Sequence, residues 1–250
     1  MGLLTALSFL AAGTFERVLL VATDTTTRHL AVDDERTRIL FGDGAAAFLI
    51  ERDAHRGIAL RSWVAGSDGS GATFFHIPVG DEAVSMHGRE LFRFAAGRGA
   101  EALQAACSQA GLTPATIDRV VVHQANLRIV EALQQRTGIA ADKWIVNIGT
   151  VGNTAAPSVL IALADMLRTG APADGARILI GAFGAGLTWC AGVLEWGVAA
   201  AAMRPARAAS SCRPRGSQGP TRRGNPCGCP SGQAQGCLYD VASRAFFTRR

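Results

Sequence analysis

The chain lacks an uninterrupted apolar run of about 18 residues, the minimum for a membrane-spanning helix. Its most apolar terminal stretch, residues 2–13, has no basic segment before it and continues at once into a strand pattern at 17–22. A signal peptide carries such a basic segment, so a buried or amphipathic helix is the better interpretation. The sequence therefore predicts a cytoplasmic protein with no membrane span and no membrane partner.

A cysteine framework is also missing. Of the six cysteines, Cys107 and Cys190 lie in apolar stretches and are predicted to be small core residues. The other four crowd into residues 212–237, where the Cys-x-Cys pair at 227–229 has no nearby His and makes a poor zinc pattern. The sequence thus predicts no metal site.

The body of the chain has no excess of basic residues, although the net charge is +5. Residues 204–250 hold nine Arg against one acid, Asp240, and contribute +8, which leaves residues 1–203 at −3. A mildly acidic body argues against nucleic acid as the partner.

Helix-like and strand-like patterns alternate along residues 1–197, which predicts an α/β fold with βαβ crossovers and a largely parallel sheet. The apolar runs at 119–122 and 177–182 indicate strands buried on both faces. The predicted helices are residues 3–12, 89–110, 127–137 and 156–168, and the predicted strands are 18–22, 45–51, 57–64, 119–122, 144–148, 177–182 and 187–196.

From residue 198 onward this periodicity is lost, and Arg, Pro, Gly and Ser dominate. Such a composition cannot bury enough apolar surface to offset the entropy cost of ordering the chain. Residues 198–250 are therefore predicted to be a disordered tail, and their composition is so unlike the body that out-of-frame translation is an alternative.

His123 and Asn153 are the strongest candidates for chemistry. Each lies in a polar turn directly after an apolar run, in His-Gln-Ala-Asn at 123–126 and Gly-Asn-Thr at 152–154. The spacing corresponds to one βα unit, so both side chains are expected at one edge of the sheet. A neutral His and an Asn can donate two hydrogen bonds to one oxygen, which a developing oxyanion requires. A structural His and a turn-forming Asn are the alternatives.

These two turns resemble the active-site motifs of the β-ketoacyl-acyl-carrier-protein synthase III family, within the thiolase-like superfamily. Three more stretches resemble that family in the same order, which together with the two turns cover residues 1 to about 197. They are Phe-Gly-Asp-Gly-Ala at 41–45, Met-His-Gly-Arg-Glu-Leu-Phe-Arg-Phe at 86–94 and the Gly-rich loop Phe-Gly-Ala-Gly-Leu-Thr-Trp at 183–189.

The resemblance implies a thiolase-like layered α/β fold, in which residues 1–51 end the N-terminal half and residues 52–197 form the complete C-terminal half. It implies decarboxylative condensation of an acyl thioester with malonyl-carrier protein, in fatty acid or polyketide biosynthesis. The implied partners are acyl-coenzyme A and acyl carrier protein, with a homodimer in the full-length family. No cofactor is implied, because coenzyme A and phosphopantetheine thioesters are substrates.

The resemblance also assigns site residues. His123 and Asn153 would be the catalytic donors, and the backbone N–H of Ala185 would be one arm of an oxyanion hole, where the family usually has Gly. A dinucleotide loop is disfavoured there, because a strand rather than a helix follows. The substrate-binding candidates are Arg36 at the nucleotide end of coenzyme A, Gly88, Phe92 and Asn126 along the tunnel, and Arg128 at its mouth. Solvated charge is the alternative for both Arg residues, and plain core is the alternative for Phe92.

The family's nucleophile is a Cys in an Ala-Cys-x-Gly turn just before a helix, and residues 1–7 resemble the interior of that helix. The nucleophile would fall upstream of Met1, so the sequence is expected to be N-terminally truncated and inactive as it stands. Cys107 and Cys190 are not expected to replace it, because neither is predicted to begin a helix. A non-catalytic remnant or pairing subunit, or a malonyl-thioester decarboxylase, are the alternatives.

Overall fold

The computed structural model describes residues 1–52, 57–81, 83–198 and 238–246. Their α-helices are α1 (Gly2–Ala11), α2 (Glu35–Arg38), α3 (Gly88–Gln109), α4 (Leu127–Thr137), α5 (Ile148–Val151) and α6 (Ser158–Thr169). Their strands are β1 (Arg17–Asp24), β2 (Gly44–Arg52), β3 (Gly57–Ser67), β4 (Phe75–His76), β5 (Ser85–Met86), β6 (Arg119–Val122), β7 (Arg177–Gly184), β8 (Thr188–Val198) and β9 (Leu238–Phe246). Short 3₁₀ turns cover Thr26–His29, Gly69–Phe74, Pro114–Thr116 and Ala141–Lys143.

The main sheet of the described residues has the strand order β1-β2-β9-β3-β8-β7-β6, with β4 and β5 in a separate hairpin. Only β6 and β7 pair in parallel there, and every other pair is antiparallel. The prediction of a largely parallel sheet is therefore wrong. Long apolar runs report burial on both faces and not strand direction, and β8 returns from β7 through a tight loop at 185–187 rather than through a helix.

Helices cover both faces of the strands that carry the site. On one face, Val121 of β6 and Ile178 of β7 pack with α6. On the other face, Val120 and Leu179 pack with α3 and α4. Successive strand residues point to opposite faces, so these uninterrupted apolar runs fill two cores at once. The mixed α/β architecture expected from the sequence is confirmed.

The helix that follows β6 begins and ends where the sequence predicts. The side chain of Asn126 caps α4 by accepting a hydrogen bond from the N–H of Arg128 at 2.9 Å. The helix stops at Gly138, whose φ of 69° lies in the left-handed region that glycine adopts without strain. Both boundaries come from local chemistry, which explains why residues 127–137 are predictable from sequence.

The predicted strand at 144–148 is wrong. Trp144 makes one isolated parallel bridge to Val120, and the N–H of Ile145 donates to the carbonyl of Val120 at 2.9 Å. The chain then leaves the sheet, and Ile148 already begins α5. An apolar run is compatible with a buried segment of either kind, and here side-chain hydrogen bonds replace the strand ladder.

Part of the predicted tail is ordered as a strand. Residues 238–246 form β9, which pairs with β2 along its length and with β3 at Ile58 and Ala59. The prediction of a disordered tail over 198–250 does not hold for these residues, and β8 extends to Val198. The rest of the tail, 199–237 and 247–250, lies outside the described residues.

None of the helices formed by residues 1–52, 57–81 and 83–198 combines the length and apolarity needed to cross a bilayer.

One face of β1 is exposed although it is apolar. Burial alternates along the strand, and Leu19 and Val21 are 64% and 57% exposed. On β2, Leu49 and Ala47 lie opposite these two residues. Neighbouring apolar side chains on an uncovered face favour self-association.

Two identical changes on opposite faces test this exposure. Leu10→Ala, at a fully buried position of α1, should lower the free energy of unfolding by about 2–5 kcal/mol. Leu19→Ala should change it by less than about 0.5 kcal/mol and reduce self-association, because the removed atoms already face water. Chemical denaturation and light scattering measure the two effects. An equal loss in both variants would show that the β1 face is covered in solution.

Candidate active site

His123 follows β6 and continues its pairing. Its backbone N–H donates to the carbonyl of Gly181 in β7 at 2.9 Å, so the residue is held in the ladder just past the strand end. Its ring meets Phe183 edge-on, with the ring centroids 5.4 Å apart. The imidazole is thereby oriented by a strand on one side and an aromatic ring on the other.

The imidazole of His123 is neutral at physiological pH. The residue keeps partial solvent access, yet the protein around its ring is dense enough that burial lowers the pKa from 6.5 to about 4. Neither ring nitrogen makes a hydrogen bond to the residues described. A neutral imidazole carries one N–H donor, so His123 can donate to a ligand oxygen without bringing a charge.

Asn153 is held by the turn at residues 40–42. Its N–H donates to the carbonyl of Leu40 at 2.7 Å, and its carbonyl accepts from the N–H of Gly42 at 3.0 Å. A Cβ at Gly42 would lie 2.1 Å from the carbonyl oxygen of Val151, so only glycine permits this approach. The Phe-Gly-Asp-Gly turn noted in the sequence thus holds Asn153, the candidate catalytic residue, through backbone contacts.

The side-chain amide of Asn153 has a defined direction. Its Oδ1 accepts the backbone N–H of Ala155 at 3.0 Å, in an Asx-type turn that places Ala155 at a left-handed φ of 54°. The amide oxygen is therefore used within the turn. The Nδ2 donor, in contrast, has no partner among the residues described, which leaves it for a ligand.

Ala185 lies in the exposed loop between β7 and β8. The loop is anchored by reciprocal backbone hydrogen bonds between Asp68 and Leu187, each 2.8 Å long. Gly186, with a φ of 133°, takes the conformation that disfavours side chains, while Ala185 is not among the residues with positive φ. An alanine in place of the family's glycine is therefore accommodated at this position.

The remaining substrate-binding candidates lie around the same end of the sheet. Asn126 caps α4 three residues after His123, and Arg128 is exposed in the first turn of that helix. Arg36 is exposed in α2, which leads directly into the turn at 40–42. Both arginines thus extend from elements joined to the candidate donors, although no ion pair within the described residues involves either of them.

Gly88 and Phe92 lie in the first turns of α3. Aromatic contacts connect this helix start to the Asn153 turn, since Phe41 stacks on Phe75 and the neighbouring Phe74 stacks on His87. Phe92 is 38% exposed, which excludes the alternative that it is a plain core residue.

Of the described cysteines, Cys107 is a poor nucleophile. Cys107 is buried in the middle of α3, and burial raises the pKa of its thiol. Cys190 is half-buried within β8, with its Sγ 3.6 Å from the amino group of Met1 at the start of α1. No three His, Cys, Asp or Glu side chains of the described ranges converge on a point that could hold a metal ion.

Sequence reasoning missed the residues that position the donors. Phe183 orients the ring of His123, Gly42 admits the turn beside Asn153, and Gln124 and Ser158 make buried hydrogen bonds next to them. Gln124 lies in the first of the two recognised turns and Ser158 lies shortly after the second, but nothing in their spacing reveals that they bond to each other.

Comparison with known proteins identifies the family. Residues 1–69 match the family described as 3-oxoacyl-[acyl-carrier-protein] synthase III, and residues 107–196 match the family of its C-terminal part. The chain belongs to this synthase III family.

Two curated relatives show the extent of the match. Beta-ketoacyl-[acyl-carrier-protein] synthase III of Deinococcus deserti is 37% identical over 218 residues, covering 83% of this chain and 62% of the relative. Synthase III 1 of Bacillus anthracis is 38% identical over 196 residues, covering 78% and 62%. The chain therefore spans about 62% of the length of these curated relatives.

Solved structures confirm the thiolase-like fold. The synthase III of Thermus thermophilus superposes with a TM-score of 0.74 at 35% identity, covering 78% of this chain and 64% of that one. The synthase III of Aquifex aeolicus gives a TM-score of 0.74 at 33% identity, covering 78% and 63%. The priming beta-ketosynthase of the R1128 polyketide pathway gives 0.70 at 33%, covering 78% and 61%.

The lowered pKa of His123 predicts a pH dependence of stability. The imidazole has a pKa of 6.5 in the unfolded chain and of about 4 in the folded protein, so the unfolded chain binds the proton more readily. Stability is therefore fully present above pH 6.5 and should fall by up to about 3 kcal/mol as the pH drops to 4. Hydrogen bonds from Thr37 and Ser70 lower the pKa values of Asp34 and Asp68. The stability that these carboxylates contribute is therefore lost at a lower pH than the contribution of His123.

Urea denaturation between pH 4 and 7 measures this slope. The variant His123→Gln has no group to protonate at this position and should lose most of it. An equal slope in the parent chain and the variant would contradict a buried neutral His123.

Proposed function

We propose that this chain carries the enolate-stabilising part of a β-ketoacyl-acyl-carrier-protein synthase III site. The observation that supports it most directly is the pair of unused donors, a neutral His123 just past β6 and the Nδ2 of Asn153. The names of the relatives support synthesis of a β-ketoacyl-acyl carrier protein. The reaction we propose for it is the one the resemblance implies, decarboxylative condensation of an acyl thioester with malonyl-carrier protein. The likeness to a priming polyketide synthase keeps both fatty acid and polyketide pathways open.

In this proposal the two donors act on one oxygen. The bond between the malonyl methylene and its carboxylate breaks, CO₂ leaves, and the electron pair moves onto the thioester oxygen to form an enolate. The N–H of His123 and the amide of Asn153 donate to that oxygen as its charge develops. The enolate carbon then attacks an acyl thioester, a carbon–carbon bond forms and a thiolate leaves.

The other candidates take supporting roles in the same proposal. Arg36 and Arg128 would bind the phosphates of coenzyme A or phosphopantetheine, to which the planar guanidinium is suited. Gly88, Phe92 and Asn126 would line the tunnel for the thioester arm, and the N–H of Ala185 would bind the oxygen of the acyl thioester. Acyl carrier protein is the proposed protein partner. The proposed assembly is a homodimer, as the resemblance implies for the full-length family.

Decarboxylation without condensation is the second candidate function. Condensation requires an acyl-enzyme on an activated thiolate, whereas enolate formation requires only the donor pair. Among the described residues, the buried Cys107 with its raised pKa is not such a thiolate, which favours the partial reaction.

We expect the 250-residue chain to form no acyl-enzyme. Incubation with acetyl-coenzyme A followed by intact mass measurement should show no stoichiometric acetyl adduct, because Cys107 is buried and Cys190 is half-buried within β8. As a control, iodoacetamide and peptide mapping should label Cys190 before Cys107, showing that both thiols are present and reduced. A stoichiometric adduct on either residue would overturn this expectation.

His123→Ala and Asn153→Ala test the donor pair. Each should reduce CO₂ release from malonyl-carrier protein by about 10²–10³-fold, the typical loss for one oxyanion donor. The double variant should be little slower than the slower single variant, because both donors act on one oxygen. Binding of coenzyme A, measured by calorimetry, should persist in all variants.

Two outcomes would count against the proposal. CO₂ release that survives near the parent rate in both single variants would make the pair structural. A parent chain that binds malonyl thioesters but releases no CO₂ above background would exclude the decarboxylase function and favour a non-catalytic subunit.

A further inference from the structure

Gln124, the residue after His123, is a fully buried amide with every polar group paired. It is 0% exposed. Its Nε2 donates to the carbonyls of Val122 and Ile145 at 3.0 and 3.1 Å, and its Oε1 accepts the N–H of Asn147 at 3.3 Å. A buried amide is tolerated when it is paired in this way, and such a network allows few alternative arrangements.

These bonds explain why residues 144–147 leave the sheet. After the bridge between Trp144 and Val120, the carbonyl of Ile145 and the N–H of Asn147 bond to the side chain of Gln124 instead of to β6. The amide thus covers the edge of β6 and fixes the path of the chain into α5, which leads to Asn153.

The backbone of Gln124 binds the other flank of the same loop. Its N–H donates at 2.8 Å to the Oγ of Ser158, a residue that is 2% exposed and begins α6. Asn147 and Ser158 bracket Asn153 in the sequence, so both ends of the loop that carries one donor are bonded to the residue adjoining the other donor.

We propose that Gln124 is a positioning residue, which sets the loop 147–158 so that Asn153 and His123 donate to the same oxygen. This inference rests on the proposed function. Ser158 shares the role through its hydroxyl. A misplacement of about 1 Å can cost on the order of 10² in rate, so the clamp should matter to chemistry without contacting the substrate.

The test replaces the amide by an apolar side chain of similar length. Gln124→Met should lower CO₂ release from malonyl-carrier protein by about 10–10²-fold in the folded fraction, with coenzyme A affinity retained. Gln104→Met is the matched control, because Gln104 is an exposed amide in α3 that donates to the carbonyl of Arg136, and its rate should equal the parent's.

A double-mutant cycle distinguishes positioning from simple destabilisation. In the Gln124→Met background, Asn153→Ala should cost only a few-fold, because the misaligned amide no longer contributes. Loss of folded protein alone would leave each folded molecule with its full dependence on Asn153. If Gln124→Met does not fold, Ser158→Ala, which removes only the hydroxyl acceptor, should lower the rate about tenfold, and Ser158→Thr should restore it.

The outcomes separate this inference from the function on which it rests. If His123→Ala and Asn153→Ala leave the parent rate unchanged, the proposed function fails. If those variants lose activity but Gln124→Met keeps the parent rate, or if Asn153→Ala retains its full effect in the Gln124→Met background, the positioning role is wrong.

Discussion

The parallel pairing of β6 with β7 is the constraint on which the candidate site depends. It ends both strands at the same edge of the sheet, so His123 emerges beside Phe183 and the loop that contains Ala185. Apolar burial sets this pairing, since each fully buried Val or Ile contributes about 1.5–3 kcal/mol, against about 1 kcal/mol for a typical hydrogen bond. The two cores therefore fix where the donors lie, and the polar contacts fix how they point.

The protein environment that makes His123 a suitable donor also sets the pH range over which its imidazole stays neutral. Dense packing around the ring lowers its pKa to about 4, so the neutral form persists through the physiological range. A charged imidazolium in the same place would be buried without an anionic partner before substrate arrived. A neutral donor avoids that cost, and it stabilises charge only when the enolate forms, which favours the transition state over the resting site.

Local chemistry made part of the fold predictable from the sequence. α4 has the predicted bounds because Asn126 caps it and Gly138 ends it, and β6 has them because its apolar run is buried on both faces. The absence of a strand at 144–148 was not predictable, because the side chain of Gln124 bonds to backbone groups that would otherwise pair with a strand. The direction of the strands was predicted wrongly for a similar reason, since strand pairing depends on residues distant in sequence.

The donor residues could be found by their types and spacing, whereas their supports could not. The Phe-Gly-Asp-Gly turn shows how a Gly-containing motif can support a donor that is distant in sequence. Gly42 lets the chain approach Val151, and a Cβ at Gly44 would lie 2.9 Å from Ile161. Asp43 binds both the N–H and the hydroxyl of Thr27, at 3.0 and 2.6 Å.

Each of these contacts joins residues 1–52 to the loop of Asn153 or to α6, or holds the turn that does so. The backbone bonds from Leu40 and Gly42 to Asn153 mean that one donor is positioned by the N-terminal part of the chain and the other by β6 and β7. The alignment of the two donors on one oxygen is therefore a property of how these two parts pack. Any change that shifts the turn at 40–42 should act on Asn153 more than on His123, because His123 bonds to Gly181 and packs against Phe183, which both lie outside that turn.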